Sequence, residues 1–319
     1  MKLRIGSRGS RLALWQAEHV KARLEEAHAG IQVEIRVLQT TGDRITDVPL
    51  ARIGDKGLFT KELDRALLDG EIDAAVHSLK DVPTRLPDGL TLGAVPERED
   101  PRDVFLPAPG RPDRLASLAP GARIGTSSLR RRALLLHLRP DLVVSDLRGN
   151  LDTRFARLQA GAFDGILLAR AGVRRLGRDE AIGEILDPSA WIPAVGQGAL
   201  GIAARSDDAA TLELLEPLHD ARAGAAVTAE RAFLRALEGG CQIPIGALAV
   251  PEGDGLRMSG FVAGLDGKPF LRAEGSAPVA EAEALGVALA QELLDRGADE
   301  VLAAIRALDP RPLPGVSPP

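Results

Sequence analysis

The single cysteine of the chain, Cys241, lies in the loop Glu238-Gly239-Gly240-Cys241-Gln242-Ile243-Pro244-Ile245-Gly246. A lone thiol can neither close an internal disulfide nor build a structural zinc site. Unpaired cysteines commonly fill cores as small hydrophobes. The two preceding glycines and the following Pro244 suit a loop that presents a sulfur, as a nucleophile or as an attachment point for a prosthetic group.

A second candidate is Val76-His77-Ser78-Leu79-Lys80-Asp81-Val82-Pro83. It follows a predicted strand, and Pro83 discourages helix, so Lys80 and Asp81 stand at a strand end facing a crevice. An Asp there can protonate a leaving amine or stabilise a developing cation. At 4 Å and an effective dielectric near 20 that attraction is about 4 kcal/mol. The alternative is an Asx-turn that closes the loop.

The third candidate is cationic. From Arg123 to Arg154 seven arginines face three aspartates, a net +4 inside a chain of formal charge -5. Gly125-Thr126-Ser127-Ser128-Leu129-Arg130-Arg131-Arg132 and Arg148-Gly149-Asn150 both read as strand-to-helix turns. Thr126, Ser127 or Ser128 can cap the helix, whose free N–H groups can bind an anion. Arginines in a first turn oppose the helix dipole, a cost tolerable beside an anionic ligand. Two such turns mark the ligand crevice of an open sheet, against the alternative of a solvated basic face. Guanidinium forks suit carboxylates; phosphate is the rival, but no Walker or dinucleotide glycine fingerprint is present.

These groups need scaffolds. The chain has 319 residues, 45% hydrophobic and 27% charged, enough for two or three soluble domains. With no tyrosine and 3% aromatics, its cores are aliphatic and a base-stacking nucleic-acid surface is disfavoured. No apolar run approaches a membrane span, no secretory signal is recognisable, and cysteine poverty fits a reducing cytosol.

Strands are predicted over 3–7, 32–39 (with Val33, Ile35 and Val37 inward) and 74–78. Helices are predicted over 11–27, with Ala13, Ala17, Val20, Leu24 and Ala27 on one face, and over 60–68, capped by Thr60. This alternation predicts an open, mostly parallel sheet with helices on both faces. The pattern restarts after Pro101: strands 122–125, 143–145 and 165–168, helices 129–138 and 151–160. Segments near Glu97 and Gln197 read as two crossings of a hinged pair of α/β domains. From Asp220 a long helix leads to the cysteine loop. Strands at 246–250, 256–262 and 270–275 follow, then helices 278–295 and 298–307, making a smaller α+β domain. The proline-rich residues 309–319 read as a disordered tail.

Taken together the chain resembles the porphobilinogen deaminase (hydroxymethylbilane synthase) family. The segments that carry the resemblance run in order: Leu12-Ala13-Leu14-Trp15-Gln16-Ala17, Lys56-Gly57-Leu58-Phe59, the Val76–Pro83 stretch, Glu97-Arg98-Glu99-Asp100-Pro101-Arg102-Asp103, the Gly125–Arg131 turn, Leu147-Arg148-Gly149-Asn150, Pro193-Ala194-Val195-Gly196-Gln197-Gly198 and Glu238-Gly239-Gly240-Cys241-Gln242. The resemblance implies two periplasmic-binding-protein-like α/β domains with a hinge, plus a smaller α+β domain. The implied boundaries are 1–97 with 198–217, 98–197, and 218–308.

The resemblance also implies a transferase of heme and porphyrin biosynthesis. Four porphobilinogen molecules are joined head to tail into hydroxymethylbilane, with ammonia released, on a covalently bound dipyrromethane cofactor. Cys241 matches the thioether anchor. Asp81 matches the catalytic carboxylate that assists loss of the amino group and steadies the azafulvene cation. Lys80, Ser78, Thr126, Ser127, Ser128, Arg130, Arg131 and Arg148 match cofactor-binding positions. Arg8, Ser10, Lys56, Arg148, Arg154 and Arg175 match substrate-binding positions, and no metal is implied. The family implies a cytoplasmic monomer whose partner is porphobilinogen, without nucleic acid or membrane. Asp55 stands where glycine is frequent and Arg11 where proline is frequent; Arg132 receives no role. Two rival readings are a cysteine hydrolase pairing Cys241 with a histidine such as His77, and a non-enzymatic binder of small carboxylates.

Overall fold

The computed structural model describes residues 2–44, 57–237 and 243–307. The first sheet begins with β1 (Lys2–Arg8), α1 (Arg11–Ala27), β2 (Gln32–Leu38) and the short α2 (Thr41–Arg44). After α3 (Lys61–Leu68) come β3 (Ala74–Ser78) and β4 (Leu90–Ala94). The chain then builds β5 (Asp103–Pro107), β6 (Arg123–Gly125), α4 (Leu129–Leu138), β7 (Val143–Ser145) and α5 (Leu151–Gln159). It continues through β8 (Gly165–Ala169), α6 (Arg170–Arg175) and β9 (Glu184–Ile185), and returns with β10 (Leu200–Arg205) and α7 (Ala209–Leu215). Last come α8 (Ala221–Ala236), β11 (Ile245–Glu252), β12 (Gly255–Ala263), β13 (Phe270–Pro278), α9 (Ala282–Asp295) and α10 (Ala298–Ala307).

The first two sheets share one plan. Their orders are β2-β1-β3-β10-β4 and β7-β6-β8-β5-β9. In each, the strand that follows a crossing enters antiparallel: β10 against β3 and β4, and β5 against β8 and β9. The others that pair side by side, β1 with β2 and β3 and β6 with β7 and β8, are parallel. Each sheet thus borrows one strand from the far side of a crossing, as expected of two hinged α/β units.

Period-two alternation decides which residue meets which helix. In the first sheet Leu3, Ile5, Val76 and Ile202 pack on Ala17, Val20 and Leu24 of α1. Ala75 and Ala203 face the other way, onto Leu63 and Leu67 of α3. In the second sheet Phe105, Ile124 and Leu167 meet Ala133 and Leu134 of α4, while Leu106, Ile166 and Leu168 meet Phe155 and Leu158 of α5. Both sheets are thus covered on two faces, which explains their aliphatic strands.

The third sheet, antiparallel β11-β12-β13, carries α8, α9 and α10 on one face through Phe233, Leu289 and Leu302. Gly260 lets the Phe233 ring lie on the strand, since a Cβ there would meet the ring at 2.6 Å. The other face places Leu248 and Phe261 against Trp191 and Ile192 of the second unit.

Some local expectations change. Ala27 is exposed at the end of α1, and Val37 is 58% exposed on the edge strand β2. Thr60 occupies the N-cap position of α3 without a side-chain capping bond. The predicted helix from Pro278 starts at Ala282; Pro278 ends β13, and a 3₁₀ turn, Val279–Glu281, intervenes.

Candidate active site

At the end of β3 the chain enters a 3₁₀ turn, Leu79–Asp81. The Leu79 amide donates to the Ala199 carbonyl at 3.0 Å, and Val82 N–H closes the turn on Leu79 at 3.1 Å. Gly196, at φ +69°, lets the second crossing touch this turn, with its Cβ direction 3.3 Å from the Lys80 nitrogen. The turn leaves Asp81 half-buried. Among the described residues its carboxylate accepts no backbone hydrogen bond, so it does not close an Asx-turn.

The other sequence-predicted residues of the first sheet are held from several sides. Ser78 Oγ accepts from Gln16 Nε2 of α1 at 2.8 Å. Burial, with the nearby Arg8 charge, pushes His77 down to about 4, so it is a neutral core imidazole. Burial pushes Lys80 down to about 8; Asp81 and Asp103 oppose this, while Arg131 and Arg130 reinforce it. Arg8, ending β1, lies over the Phe59 ring at 4.2 Å. Ser10 caps α1 by accepting from Ala13 N–H at 3.3 Å.

In the second sheet the arginine turn follows β6. Of the three hydroxyls, Ser128 is the cap of α4, accepting from Arg131 N–H at 3.4 Å. Thr126 Oγ1 accepts from the Ser128 amide at 3.2 Å. Ser127 Oγ donates to the Leu147 carbonyl at 2.6 Å and so ties this turn to the one carrying Arg148.

Arg130 and Arg131 do not simply face solvent. Both are buried and converge on Asp103, which has no exposed surface. Arg130 Nη2 is 2.7 Å from Asp103 Oδ2, and Arg131 Nη2 is 2.7 Å from Oδ1. Trp191 Nε1 and Gln197 Nε2 each add a bond to the same carboxylate at 2.8 Å. Arg130 Nη1 also donates to Ile192 O and Arg131 Nη1 to Leu167 O. Burial alone would raise the Asp103 pKa; Arg130 and Arg131 overcome it and hold the group well below the usual carboxylate range. Burial likewise lowers Arg130.

Arg148 and Arg154 sit at the next turn, half-buried. Arg154 Nε donates to the Gly149 carbonyl at 2.9 Å. Its pKa falls to about 10 through burial and then the Arg131 charge; Asp81 opposes and Arg148 reinforces the shift. Asp81 of the first sheet therefore shares a field with Arg154 and Arg148 of the second. Arg175, at the end of α6, donates to Gly198 O at 2.7 Å and lies 5.7 Å from the Trp15 ring of α1, bridging the two units. Burial lowers it to about 10.

Arg132, unassigned from the sequence, donates to Leu265 O of the third unit at 3.3 Å. Arg11 reaches Asp152 at 3.4 Å, both exposed. Lys56, Asp55 and Cys241 lie outside the described residues, as does the 309–319 tail.

Sequence reasoning missed Asp103 as a functional group. The arginine run signals a need for anions near the first turn but not which anion, since Asp103 lies 28 residues from Arg131. It also missed the clamp across both crossings. There the Arg98 guanidinium meets Glu230 of α8 at 2.6 Å, and Glu230 accepts from Gly196 N–H at 2.7 Å.

The chain matches two family models. One, described as porphobilinogen deaminase, dipyromethane cofactor binding domain, spans residues 3–213; the other, porphobilinogen deaminase, C-terminal domain, spans 225–295. A porphobilinogen deaminase from Syntrophotalea carbinolica is 54% identical over 98% of both chains. One from Nitratidesulfovibrio vulgaris is 53% identical over 95% of this chain and 97% of its own. A periplasmic substrate-binding protein of an ABC transporter from Coxiella burnetii aligns with 68% of this chain and 92% of its own, at 16% identity and a TM-score of 0.44. Two family models in chain order and near-full-length identity above half establish that the chain belongs to the porphobilinogen deaminase family.

Proposed function

We propose that this chain joins four porphobilinogen molecules head to tail into hydroxymethylbilane, releasing ammonia, with Asp81 as the carboxylate at the reacting centre. The observation that carries this assignment is the placement of Asp81 in the turn that ends β3, where its charge acts on Arg154 of the other sheet, on which Arg131 and Arg148 also act. A carboxylate facing guanidinium groups is suited to a substrate that carries carboxylates outside and develops positive charge within.

The donor set fits dipyrromethane. Lys80, Arg130, Arg131, Arg148 and Arg154 share a field with two carboxylates, Asp81 and Asp103. That excess of positive charge suits the acetate and propionate groups of a pyrrole chain. Arg130 Nε is also buried without a hydrogen-bond partner among the described residues. When bound, the cofactor supplies the nucleophilic pyrrole carbon to which substrate is added. We assign its covalent attachment to Cys241 and its carboxylate contacts to Arg148, the α4 turn with Ser127 and Ser128, and Lys80. Arg8, Ser10, Lys56, Arg154 and Arg175 are assigned to substrate carboxylates.

Asp81 holds a proton or a negative charge next to the leaving amine. The packed turn around Leu79 keeps it in place, and the neutral His77 behind it adds no competing charge. The three units of this reading are residues 1–97 with 198–217, residues 98–197, and residues 218–308. No described helix is long and apolar enough to cross a membrane. We place the protein in the cytoplasm as a monomer.

Asp81→Ala tests the assignment. Its melting curve should match the parent, and ammonia release should fall roughly 100-fold or more, the scale of a lost proton-transfer group. Near-parental turnover would move the catalytic role elsewhere.

A further inference from the structure

We propose that Arg231 is a positioning residue for Asp81, holding the backbone on the C-terminal side of the catalytic turn and coupling it to α8. The inference rests on the reading of Asp81 given above. Arg231 belongs to α8 of the third unit, yet its guanidinium reaches the first. Nη1 donates to the Val82 carbonyl at 3.2 Å and Nη2 to the Pro83 carbonyl at 2.6 Å. These are the two residues that follow Asp81.

The side chain is buried, at 8% exposure, and no carboxylate pairs with it among the described residues. Burial and then the neighbouring Arg235 lower its pKa to about 10. A buried cation with only carbonyl partners is expensive. Its five-donor fork is what two adjacent carbonyls need, and no neutral side chain serves both as well.

The turn needs that support. A three-residue 3₁₀ turn has poor internal geometry and a single closing bond. On its N-terminal side it is fixed by Leu79, which is 1% exposed and bonded to Ala199. On its C-terminal side Pro83 has no N–H to offer, so a brace must come from a donor that reaches the carbonyls. Arg231 is that donor. The preceding residue, Glu230, grips Arg98 and the Gly196 amide on the two crossings. Consecutive positions of one helix thus hold the two crossings and the catalytic turn.

The test replaces Arg231 with methionine, which fills similar volume without donors, and with lysine, which can still donate to a carbonyl. In the holoprotein, Arg231→Met should lower kcat at least ten-fold with KM for porphobilinogen within two-fold. Cofactor content by intact mass should be unchanged, and Arg231→Lys should recover most of kcat. Hydrogen exchange should quicken in peptides covering residues 79–86 while α8 stays protected. Parental kcat with only a lower melting temperature, or a raised KM at unchanged kcat, would overturn the inference. If the methionine variant does not fold, Arg231→Gln, with one amide donor group, undergoes the same measurements, and the same results support or overturn the inference. Asp81→Ala run alongside separates the failures. Active Asp81→Ala removes the underlying reading. Inactive Asp81→Ala with unaltered exchange and kcat in the Arg231 variants removes this inference alone.

Discussion

Two arginine-bearing turns lie within one stretch of the second sheet, and the structure uses them differently. In the first, Arg130 and Arg131 close on a buried carboxylate, Asp103, and on the carbonyls of Ile192 and Leu167. In the second, Arg154 has a backbone carbonyl but no salt bridge to a carboxylate among the described residues, and its charge is disfavoured by burial and by neighbouring cations. The first turn is braced by the protein's own counter-ion. Arg154 has the field of Asp81 but no carboxylate in salt-bridge contact among the described residues, as a site for anionic ligands requires. An arginine run is therefore not one feature: a buried counter-ion braces one turn, while Arg154 of the other has no direct salt bridge among the described residues.

The comparison is tested most severely at Asp103. Asp103→Ala strips the counter-ion from two buried guanidiniums and should cost about 3–5 kcal/mol of stability, read from denaturant unfolding. Its pH signature has a definite sign. The folded-state pKa is depressed, so the stabilisation is fully present above the ordinary carboxylate value and is lost as pH falls through it toward the folded one. The variant should lack that acid limb; an unchanged acid limb would show that Asp103 is not the paired group.

Arg154→Leu should give the opposite profile. Removing a charge already opposed by burial should leave stability within about 1 kcal/mol of the parent. Porphobilinogen consumption should fall roughly ten-fold, about 1.4 kcal/mol in the barrier. A large stability loss with normal turnover would put Arg154 in the braced class and erase the distinction. The smallest effect is expected at Arg11, whose partner Asp152 is also exposed. Arg11→Ala should change stability by less than about 0.5 kcal/mol. A larger loss would mean that exposed pairs across the two units matter as much as buried ones.

The legibility of the chain follows the range of the forces involved. Helices α1, α4 and α10 and strand β7 are readable to the residue, because apolar spacing and a cap such as Ser128 are local signals. Strands β4, β5, β9 and β10 are not readable. They are short, and their strand character comes from partners remote in sequence, as when Leu200 pairs with Ser78. Val37 shows the same limit: alternation predicts an inward side chain, but nothing covers that end of the edge strand among the described residues.

At the site, Lys80, Asp81 and the arginine turns are legible as strand-end chemistry. What Arg130 and Arg131 touch is not, because Asp103 lies 28 residues from Arg131 and Gln197 lies 94 from Asp103. Ser127 illustrates a finer miss: it reads as a cap candidate, but it spans to Leu147 and joins the two arginine-bearing turns.

The central claim is that a pyrrole cofactor is tethered through Cys241 within reach of Asp81 and the arginines of the second sheet. Intact-protein mass of the purified chain and of Cys241→Ser tests it most directly. The parent should exceed its polypeptide mass by a two-pyrrole adduct, and Cys241→Ser should appear at the bare mass and be inactive. An active parent at bare polypeptide mass, or a fully loaded Cys241→Ser, would contradict the account.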